Sequence, residues 1–200
     1  MATRDRACLP PLPSATARLW RAFGVVGLLG ACTSLEGSGG NVLRPEQARV
    51  SLFDERWAWT DEEGSPVTFS HWRGTPLVLA AVYTWCRSTC PYTIEKMRRV
   101  EKAFQQRGEP AQFLLVTLDP AEDTPARLRD FKASTKLPQS WHLLRGNQDD
   151  TRDLTDLMDI HVFDAASHLV HDSKILVFNA SGVAARSFAC CNFKDYDAVL

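Results

Sequence analysis

One stretch of the sequence decides the fold: residues 83–91 are Tyr-Thr-Trp-Cys-Arg-Ser-Thr-Cys-Pro, with Cys86 and Cys90 four positions apart. The apolar run Leu77–Val82 leads into this stretch and predicts a buried strand. Pro91 suits the first position of a helix, so we expect Cys90 to be the N-cap of that helix. Backbone N–H groups at a helix start favour a thiolate over a thiol. Both sulfurs are therefore expected to lie close together at a strand-to-helix junction and to be reactive.

The spacing of the two cysteines narrows their chemistry. Two intervening residues would be typical of a thioredoxin redox motif, whereas three open the loop enough for both sulfurs to face one ion. A structural zinc site usually has four ligands, and no C-x-x-C pair occurs in this sequence to supply them. Two thiolates with one imidazole would suit copper, because soft sulfur ligands select Cu(I). A structural disulfide, or two inert thiols, is the simpler alternative.

The first 32 residues predict an export signal. Two arginines precede a short apolar run, residues 22–31, which is too short to span a membrane and fits a signal-peptide core. The run ends in Leu-Gly-Ala-Cys, which resembles the bacterial lipoprotein processing site, so Cys32 is the expected lipidated first residue of the mature protein. Residues 33–50 begin with a Gly- and Ser-rich segment and predict a flexible tether. An ordinary cleaved signal or an uncleaved anchor is the alternative.

Composition and charge exclude several broad classes of protein. The length of 200 residues predicts one folded domain, which we place at residues 51–200. A formal net charge of −1 gives no basic surface of the kind that binds nucleic acid. No run of about 20 apolar residues is present, so no ordinary membrane-spanning helix is expected. An exported compartment is oxidising, so thiols that bind metal there would need a dedicated reductant.

Strands and helices alternate along the rest of the chain. The predicted elements are strands at 57–60, 67–69 and 77–83, a helix at 91–106, a strand at 112–118, a helix at 124–134, a strand at 141–144, a helix at 149–158 and a hairpin at 174–178 and 183–188. This alternation indicates an α/β fold. Because the cysteine pair lies at the first strand-to-helix junction, we predict a thioredoxin-like fold. It has a central mixed sheet, flanking helices and an N-terminal β-hairpin.

Among the five histidines, His171 stands out by its position. It lies just before the last central strand, where a thioredoxin has its cis-proline beside the cysteines, and no proline follows Pro138 in this chain. A histidine at that place can face the cysteine pair and act as a third ligand. A purely structural histidine is the alternative.

Three motifs, in this order along the chain, resemble the SCO/SenC family of copper chaperones. They are residues 82–91 around the cysteines, Val116–Pro120 with Asp123–Pro125, and His171–Phe178 closing at Gly182. The resemblance runs from about Trp57 to Gly182 and implies that Cys86, Cys90 and His171 bind copper, as Cu(I) or Cu(II). It also implies a protein that is exported and anchored to the membrane on its periplasmic side.

The resemblance also implies a function. Family members deliver copper to the binuclear copper centre of cytochrome c oxidase, or help this centre to mature. The expected partners are the oxidase subunit that carries the centre or another copper-receiving protein, together with a thiol reductant. The alternative is an enzyme, a thiol-disulfide oxidoreductase acting on exported proteins, in which Cys86 and Cys90 are catalytic. We favour the chaperone over the enzyme, because disulfide exchange does not require His171.

Two acidic residues are candidates for an accessory role. Asp119 and Asp123 follow a predicted strand at its carboxyl end, where open α/β sheets carry their sites. We predict that they dock a partner or assist metal transfer. A turn with a helix-capping charge is the simpler interpretation.

The cysteine pair Cys190 and Cys191 lies beyond the last hairpin. If one ladder ran unbroken from residue 171 to 191, a two-residue hairpin loop would place Cys190 opposite His171, and a three-residue loop would place Cys191 there. We therefore predict that one of them joins the site as an alternative copper ligand or a resolving thiol. Two buried small residues are the alternative.

Overall fold

The computed structural model describes Leu43, Gln47 and residues 49–86, 89–165 and 168–189, without the side chains at 164, 165 and 168–170. The predicted export signal, the predicted lipidation site at Cys32 and the pair Cys190 and Cys191 lie outside the described residues. Within the described part of the chain, no helix has the length and apolar character needed to cross a membrane.

Helices and strands alternate as the sequence predicted. The elements are β1 Trp59–Asp61, β2 Pro66–Val67, a 3-10 helix Phe69–Trp72, β3 Leu77–Val82, α1 Thr89–Arg107, β4 Gln112–Thr117, α2 Pro125–Ser134, β5 Trp141–Arg145, α3 Gln148–Met158, β6 Val162–Ala165, β7 His168–His171, β8 Lys174–Phe178 and β9 Ala184–Ala189. The 3-10 helix and the β6–β7 hairpin are additions to the predicted set. One detail is wrong: α1 begins at Thr89, so Cys90 lies inside its first turn and is not its N-cap.

Seven strands form one mixed sheet in the order β2-β1-β5-β4-β3-β8-β9. The three central strands β5, β4 and β3 are parallel, while β1, β8 and β9 each run antiparallel to a neighbour. The hairpin β1–β2 forms one edge, as predicted, and β6 pairs with β7 in a separate two-stranded sheet. This is the mixed sheet expected of a thioredoxin-like fold.

The central strands carry buried side chains on both faces of the sheet, since successive side chains of a strand point to opposite faces. In β3, Val78, Ala80 and Val82 belong to a core cluster with residues of α1 and α2. Leu77 and Leu79 belong to a second cluster, with residues of α3 and the aromatic side chains near the N-terminal hairpin. Helices α1 and α2 thus cover one face of the sheet and α3 covers the other, which explains why the central strands are apolar throughout.

The turn of the β8–β9 hairpin follows the longer of the two loops considered from the sequence. Asn179 donates its N–H to the carbonyl oxygen of Val183 at 2.9 Å, and Gly182 donates to that of Asn179 at 2.8 Å. Gly182 has a φ angle of 78°, in the left-handed region that glycine adopts at little cost.

The rest of that hairpin differs from the ladder assumed for Cys190 and Cys191. A bulge at Val177/Phe178 shifts the register by one residue, so that Lys174 pairs with Ala189. In addition, β7 ends at His171 and pairs only with β6, so no single ladder continues from residue 171. The described strands therefore do not form the unbroken ladder that was assumed from the sequence, and the accessory role of the two cysteines stays a prediction.

A buried ion pair joins the N-terminal hairpin to α2 and β5. Lys132 Nζ lies 2.5 Å from Glu62 Oε1, with only 11% and 5% of the two side chains exposed. Lys132 also donates to the carbonyl oxygen of Trp141 at 2.7 Å, and Glu62 accepts the N–H of Leu143 at 2.9 Å. Burial by itself would raise the pKa of Glu62, but the hydrogen bonds from Lys132 and Leu143 outweigh burial and lower it.

Replacing Lys132 with methionine should lower the free energy of unfolding by about 3 kcal/mol, because the carboxylate of Glu62 would stay buried without its cation. Urea unfolding at pH 7, followed by tryptophan fluorescence, measures the change. Because the pKa of Glu62 is lowered on folding, its contribution is present above the unfolded pKa and disappears as the pH falls through the folded pKa. The difference between wild type and variant should therefore shrink in acid.

Arg152→Met is the matched control, because it removes an exposed pair with Asp149 from the surface of α3. We expect it to change the free energy of unfolding by less than about 0.5 kcal/mol. Equal effects of the two substitutions would contradict the structural role of the buried pair.

Candidate metal centre

The strand pairing brings the three predicted ligands to one edge of the sheet. Strand β8 runs antiparallel to β3, and Ile175 pairs with Ala80. The start of β8 therefore lies beside the carboxyl end of β3. Cys86 and Cys90 follow β3, and His171 precedes β8, so the fold places all three at the same end of these strands.

The ligand atoms of Cys86, Cys90 and His171 all lie within 4.8 Å of one another. The three residues are 7%, 1% and 9% exposed, respectively, and both cysteines are free thiols. Within the described residues, no other group of three or more His, Cys, Asp or Glu has a geometry that could hold a metal ion. The structure thus brings together the three residues that the sequence singled out.

The two sulfurs have different environments. The sulfur of Cys86 accepts the backbone N–H of Cys90 at 3.3 Å and lies 3.2 Å from the hydroxyl of Thr89. Hydrogen bonding with the Cys90 thiol, with further contributions from Thr89 and that N–H, lowers the pKa of Cys86 well below its usual range although burial opposes the shift. The hydrogen bond with Cys86, burial and the charge of Asp123 raise the pKa of Cys90. The surroundings therefore favour the thiolate at Cys86 and the thiol at Cys90, whereas the helix start was expected to activate both sulfurs.

The two ring nitrogens of His171 have different surroundings. Its Nδ1 lies 2.9 Å from the carbonyl oxygen of Asp172, so Nδ1 carries the proton and donates it to that acceptor. The other nitrogen, Nε2, is buried and has no hydrogen-bond partner among the described residues. The ring packs edge-on against Tyr83, with 5.8 Å between the ring centroids. A buried nitrogen lone pair beside two sulfurs fits a soft metal ion.

Polar contacts hold the segment that carries His171 against the rest of the protein. The hydroxyl of Ser173 lies 2.5 Å from that of Thr93 in α1, the helix that contains Cys90. Lys174 donates to the carboxylate of Asp159 at 2.7 Å and also to its carbonyl oxygen. These contacts join residues that are 15 and 80 positions apart in the chain, so no local sequence pattern indicates them.

The two acidic residues, Asp119 and Asp123, have different surroundings. Asp119 is partly exposed at the end of β4, and burial together with the charge of Asp123 raises its pKa. Asp123 is 0% exposed, and its carboxylate accepts hydrogen bonds from Thr84 and Thr117. A fully buried carboxylate does not suit the docking role predicted for Asp123. Asp119 keeps that role as a prediction.

An exposed tryptophan and an open groove lie near the two cysteines. Trp85 is 61% exposed, and the guanidinium of Arg127 lies 5.7 Å from its ring centroid. An open groove of about 290 Å³ is lined by both cysteines and by residues of α1 and α2, including Ile94 and Phe131. The two cysteines therefore border a groove that is large enough for a small ion or a partner side chain.

Comparison with known families agrees with this geometry. The model of the SCO1/SenC family matches residues 45–193. Because this match covers most of the chain, the protein belongs to the SCO1/SenC family.

One relative by sequence is a protein from Stutzerimonas stutzeri described as copper-binding. It is 32% identical over 92 residues, which is 43% of this chain and 45% of the relative. The match thus spans less than half of the relative's length.

Solved structures of Sco proteins have the same fold. Arabidopsis thaliana ScoI with copper bound matches with a TM-score of 0.64 at 14% identity, covering 72% of this chain and 90% of that one. A SCO1/SenC family lipoprotein from Bacillus anthracis matches with a TM-score of 0.65 at 19% identity, covering 72% and 89%. The structure of BsSco is described as showing a disulfide switch in a member of the Sco family of cytochrome c oxidase assembly proteins. It matches with a TM-score of 0.63 at 19% identity, covering 72% of this chain and 87% of that one. These likenesses confirm the thioredoxin-like fold.

In the reduced, metal-free protein, Cys86 should be alkylated by iodoacetamide with an apparent pKa below the ordinary thiol value of about 8.5. The hydrogen bond with the Cys90 thiol is the main cause of this low pKa. Cys90→Ala should therefore move the pKa of Cys86 up towards the ordinary value. The rate of alkylation as a function of pH, followed by mass spectrometry of the peptide that contains Cys86, measures both values.

Cys86→Ala provides the reciprocal control, in which Cys90 should react slowly because it is almost fully buried. Faster alkylation of Cys90 than of Cys86 in the wild-type protein would show that the thiolate has been assigned to the wrong sulfur.

Proposed function

We propose that this protein is a copper chaperone that works outside the cytoplasm and binds copper through Cys86, Cys90 and His171. Two observations carry the proposal: His171 offers a ring nitrogen within 4.8 Å of two free thiols, and its Nε2 is buried without a hydrogen-bond partner among the described residues. Two sulfurs and one imidazole nitrogen form a soft donor set, which favours copper, and Cu(I) in particular, over hard cations. The copper-binding relative and the copper-bound Arabidopsis thaliana structure support this choice of metal.

The recipient that we propose is the cytochrome c oxidase subunit with the binuclear copper centre, or another copper-receiving protein. The description of BsSco as one of the oxidase assembly proteins supports this choice. A set of only three ligands suits transfer, because a recipient can add its own ligand to the ion before those of the chaperone dissociate. The groove beside the sulfurs gives such a ligand access.

A second function is favoured by the low pKa of Cys86, which is the property of an attacking thiol. In a thiol-disulfide oxidoreductase, the Cys86 thiolate would attack a partner's disulfide, form a mixed disulfide and release one partner thiolate. Cys90 would then attack the sulfur of Cys86, lose its proton and release the second partner thiol. The resulting Cys86–Cys90 disulfide needs an external thiol reductant, which the chaperone also needs before it can load copper. His171 has no part in this exchange.

Anaerobic titration of reduced residues 33–200, which lack the predicted signal and Cys32, with Cu(I) and a competing chelator should show one tight equivalent. His171→Ala should weaken this binding by roughly tenfold or more, because it removes one of three ligands. His161→Ala is the matched control, because its imidazole is exposed and pairs with Asp172 beside the site. We expect the control to bind copper as the wild type does.

Absence of a tight site, or equal binding by the His171→Ala variant, would contradict the chaperone and favour disulfide chemistry. The same titration of a Cys190→Ser/Cys191→Ser variant tests the accessory role of these two cysteines. Unchanged stoichiometry, affinity and disulfide pattern would exclude that role.

We also infer that the protein is exported and anchored by a lipid on Cys32, as the lipoprotein from Bacillus anthracis supports. In a bacterial host, the wild-type protein should incorporate labelled fatty acid and begin at Cys32. Cys32→Ala should lose both the label and the cleavage, because the modified thiol is absent. Mass spectrometry of the N-terminal peptide measures both properties. An unlabelled wild-type protein would point to an ordinary signal or an uncleaved anchor.

A further inference from the structure

A buried carboxylate lies beneath the loop that carries Cys86. Asp123, between β4 and α2, is 0% exposed. Its Oδ2 accepts the backbone N–H of Thr84 at 3.1 Å, and its Oδ1 accepts the hydroxyl of Thr84 at 2.5 Å. The hydroxyl of Thr117, at the end of β4, also donates to Oδ2. Both carboxylate oxygens are thus used to hold neighbouring segments.

Capping of α2 does not explain this arrangement. The N-cap of α2 is Thr124, whose hydroxyl accepts the N–H of Arg127 at 3.4 Å. Within the described residues, no cation forms an ion pair with Asp123. A buried carboxylate without a cation is costly unless hydrogen bonds compensate it, and here all three donors belong to Thr84 and Thr117. The carboxylate therefore serves the contact between β4 and the cysteine loop.

The contact with Thr84 fixes the turn that leads to Cys86. Residues 83–86 form this turn, which is closed by the N–H of Cys86 donating to the carbonyl oxygen of Tyr83 at 3.1 Å. Thr84 is inside the turn and is held to Asp123 by both its N–H and its hydroxyl. The sulfur of Cys86 then accepts the N–H of Cys90. The direction of the Cys86 side chain thus depends on an anchor two residues earlier in the chain.

We propose that Asp123 is a positioning residue of the metal centre, which acts through Thr84 to hold Cys86 towards Cys90 and His171. Asp123 hydrogen-bonds to none of the three ligands, so apart from its negative charge it acts on a bound ion through the turn. Loss of the anchor does not change the ligand residues, but it lets the turn adopt other orientations. The site is then no longer preorganised for a metal ion. The inference rests on the proposed function only where copper is the probe, because the order of the turn can be measured without metal.

Two substitutions remove the anchor in different ways. Asp123→Asn keeps the size of the side chain, but its NH₂ group cannot accept the hydrogen bonds that one carboxylate oxygen now accepts. Thr84→Val removes the hydroxyl partner and leaves the carboxylate in place. Glu122→Gln is the control, because it removes a neighbouring negative charge that is exposed and paired with Arg127.

In the metal-free protein, amide hydrogen exchange measures the anchor directly. Asp123→Asn and Thr84→Val should each accelerate exchange of the Cys86 amide, and Glu122→Gln should not. In the copper-loaded protein, the first two variants should weaken binding by roughly tenfold and shift the sulfur-to-copper charge-transfer band of the Cu(II) form. The Asp123→Asn/Thr84→Val double variant should bind copper no more weakly than Asp123→Asn alone, because both substitutions remove the same contact between Asp123 and Thr84.

The two readouts separate the possible failures. If the exchange of the Cys86 amide and the copper spectrum of Asp123→Asn match the wild type, the positioning role is wrong, even if the variant unfolds more easily. If the wild-type protein binds no copper, the proposed function fails, and the exchange of the Cys86 amide alone decides whether Asp123 positions the turn.

Discussion

The antiparallel pairing of β8 with β3 is the constraint on which the metal centre depends. It places the start of one strand beside the end of another, so that residues from distant parts of the chain meet at one edge of the sheet. β3 lies inside the sheet between β4 and β8, and all six of its side chains are buried. Slipping the register by one residue would turn the inward-facing side chains to the opposite face, which the two core clusters resist. The register therefore fixes which segments meet at this edge: the loop after β3 that carries Cys86, the start of α1 with Cys90, and the segment before β8 with His171.

Burial also explains why the three groups have unequal chemistry. A thiolate and an unpartnered imidazole nitrogen are both costly inside a protein. Each of the two side chains has one hydrogen bond that keeps it in place. The sulfur of Cys86 receives an N–H from Cys90, while His171 donates its Nδ1 proton to a carbonyl oxygen. These bonds leave a sulfur and a nitrogen with free electron pairs facing a common space. A soft cation satisfies both groups at once, whereas a disulfide satisfies only the sulfurs and leaves Nε2 without a partner.

Much of this organisation could be predicted from the sequence, because it follows from local patterns. Apolar runs marked the central strands, and the pair of Thr124 and Pro125 marked the start of α2. Other features depend on contacts between distant residues, which no local pattern encodes. The bulge at Val177/Phe178 shifted the ladder on which the pairing of Cys190 and Cys191 was based. Likewise, Asp123 looked like a surface acid because carboxylates are seldom buried, and only the tertiary structure shows its partners.

The ligand-bearing segments are held by polar side chains rather than by apolar packing alone. Asp123 holds the turn before Cys86, and Thr93 in α1 contacts Ser173, two residues after His171. Each bond contributes only about 1 kcal/mol to stability, but it fixes a direction, which apolar contact does not do. The free nitrogen of His171 acts in the opposite sense, since an unsatisfied buried group costs about 1–3 kcal/mol. An ion that binds there removes this cost and stabilises the folded state by mass action. Metal affinity and fold stability are thus coupled through one imidazole nitrogen.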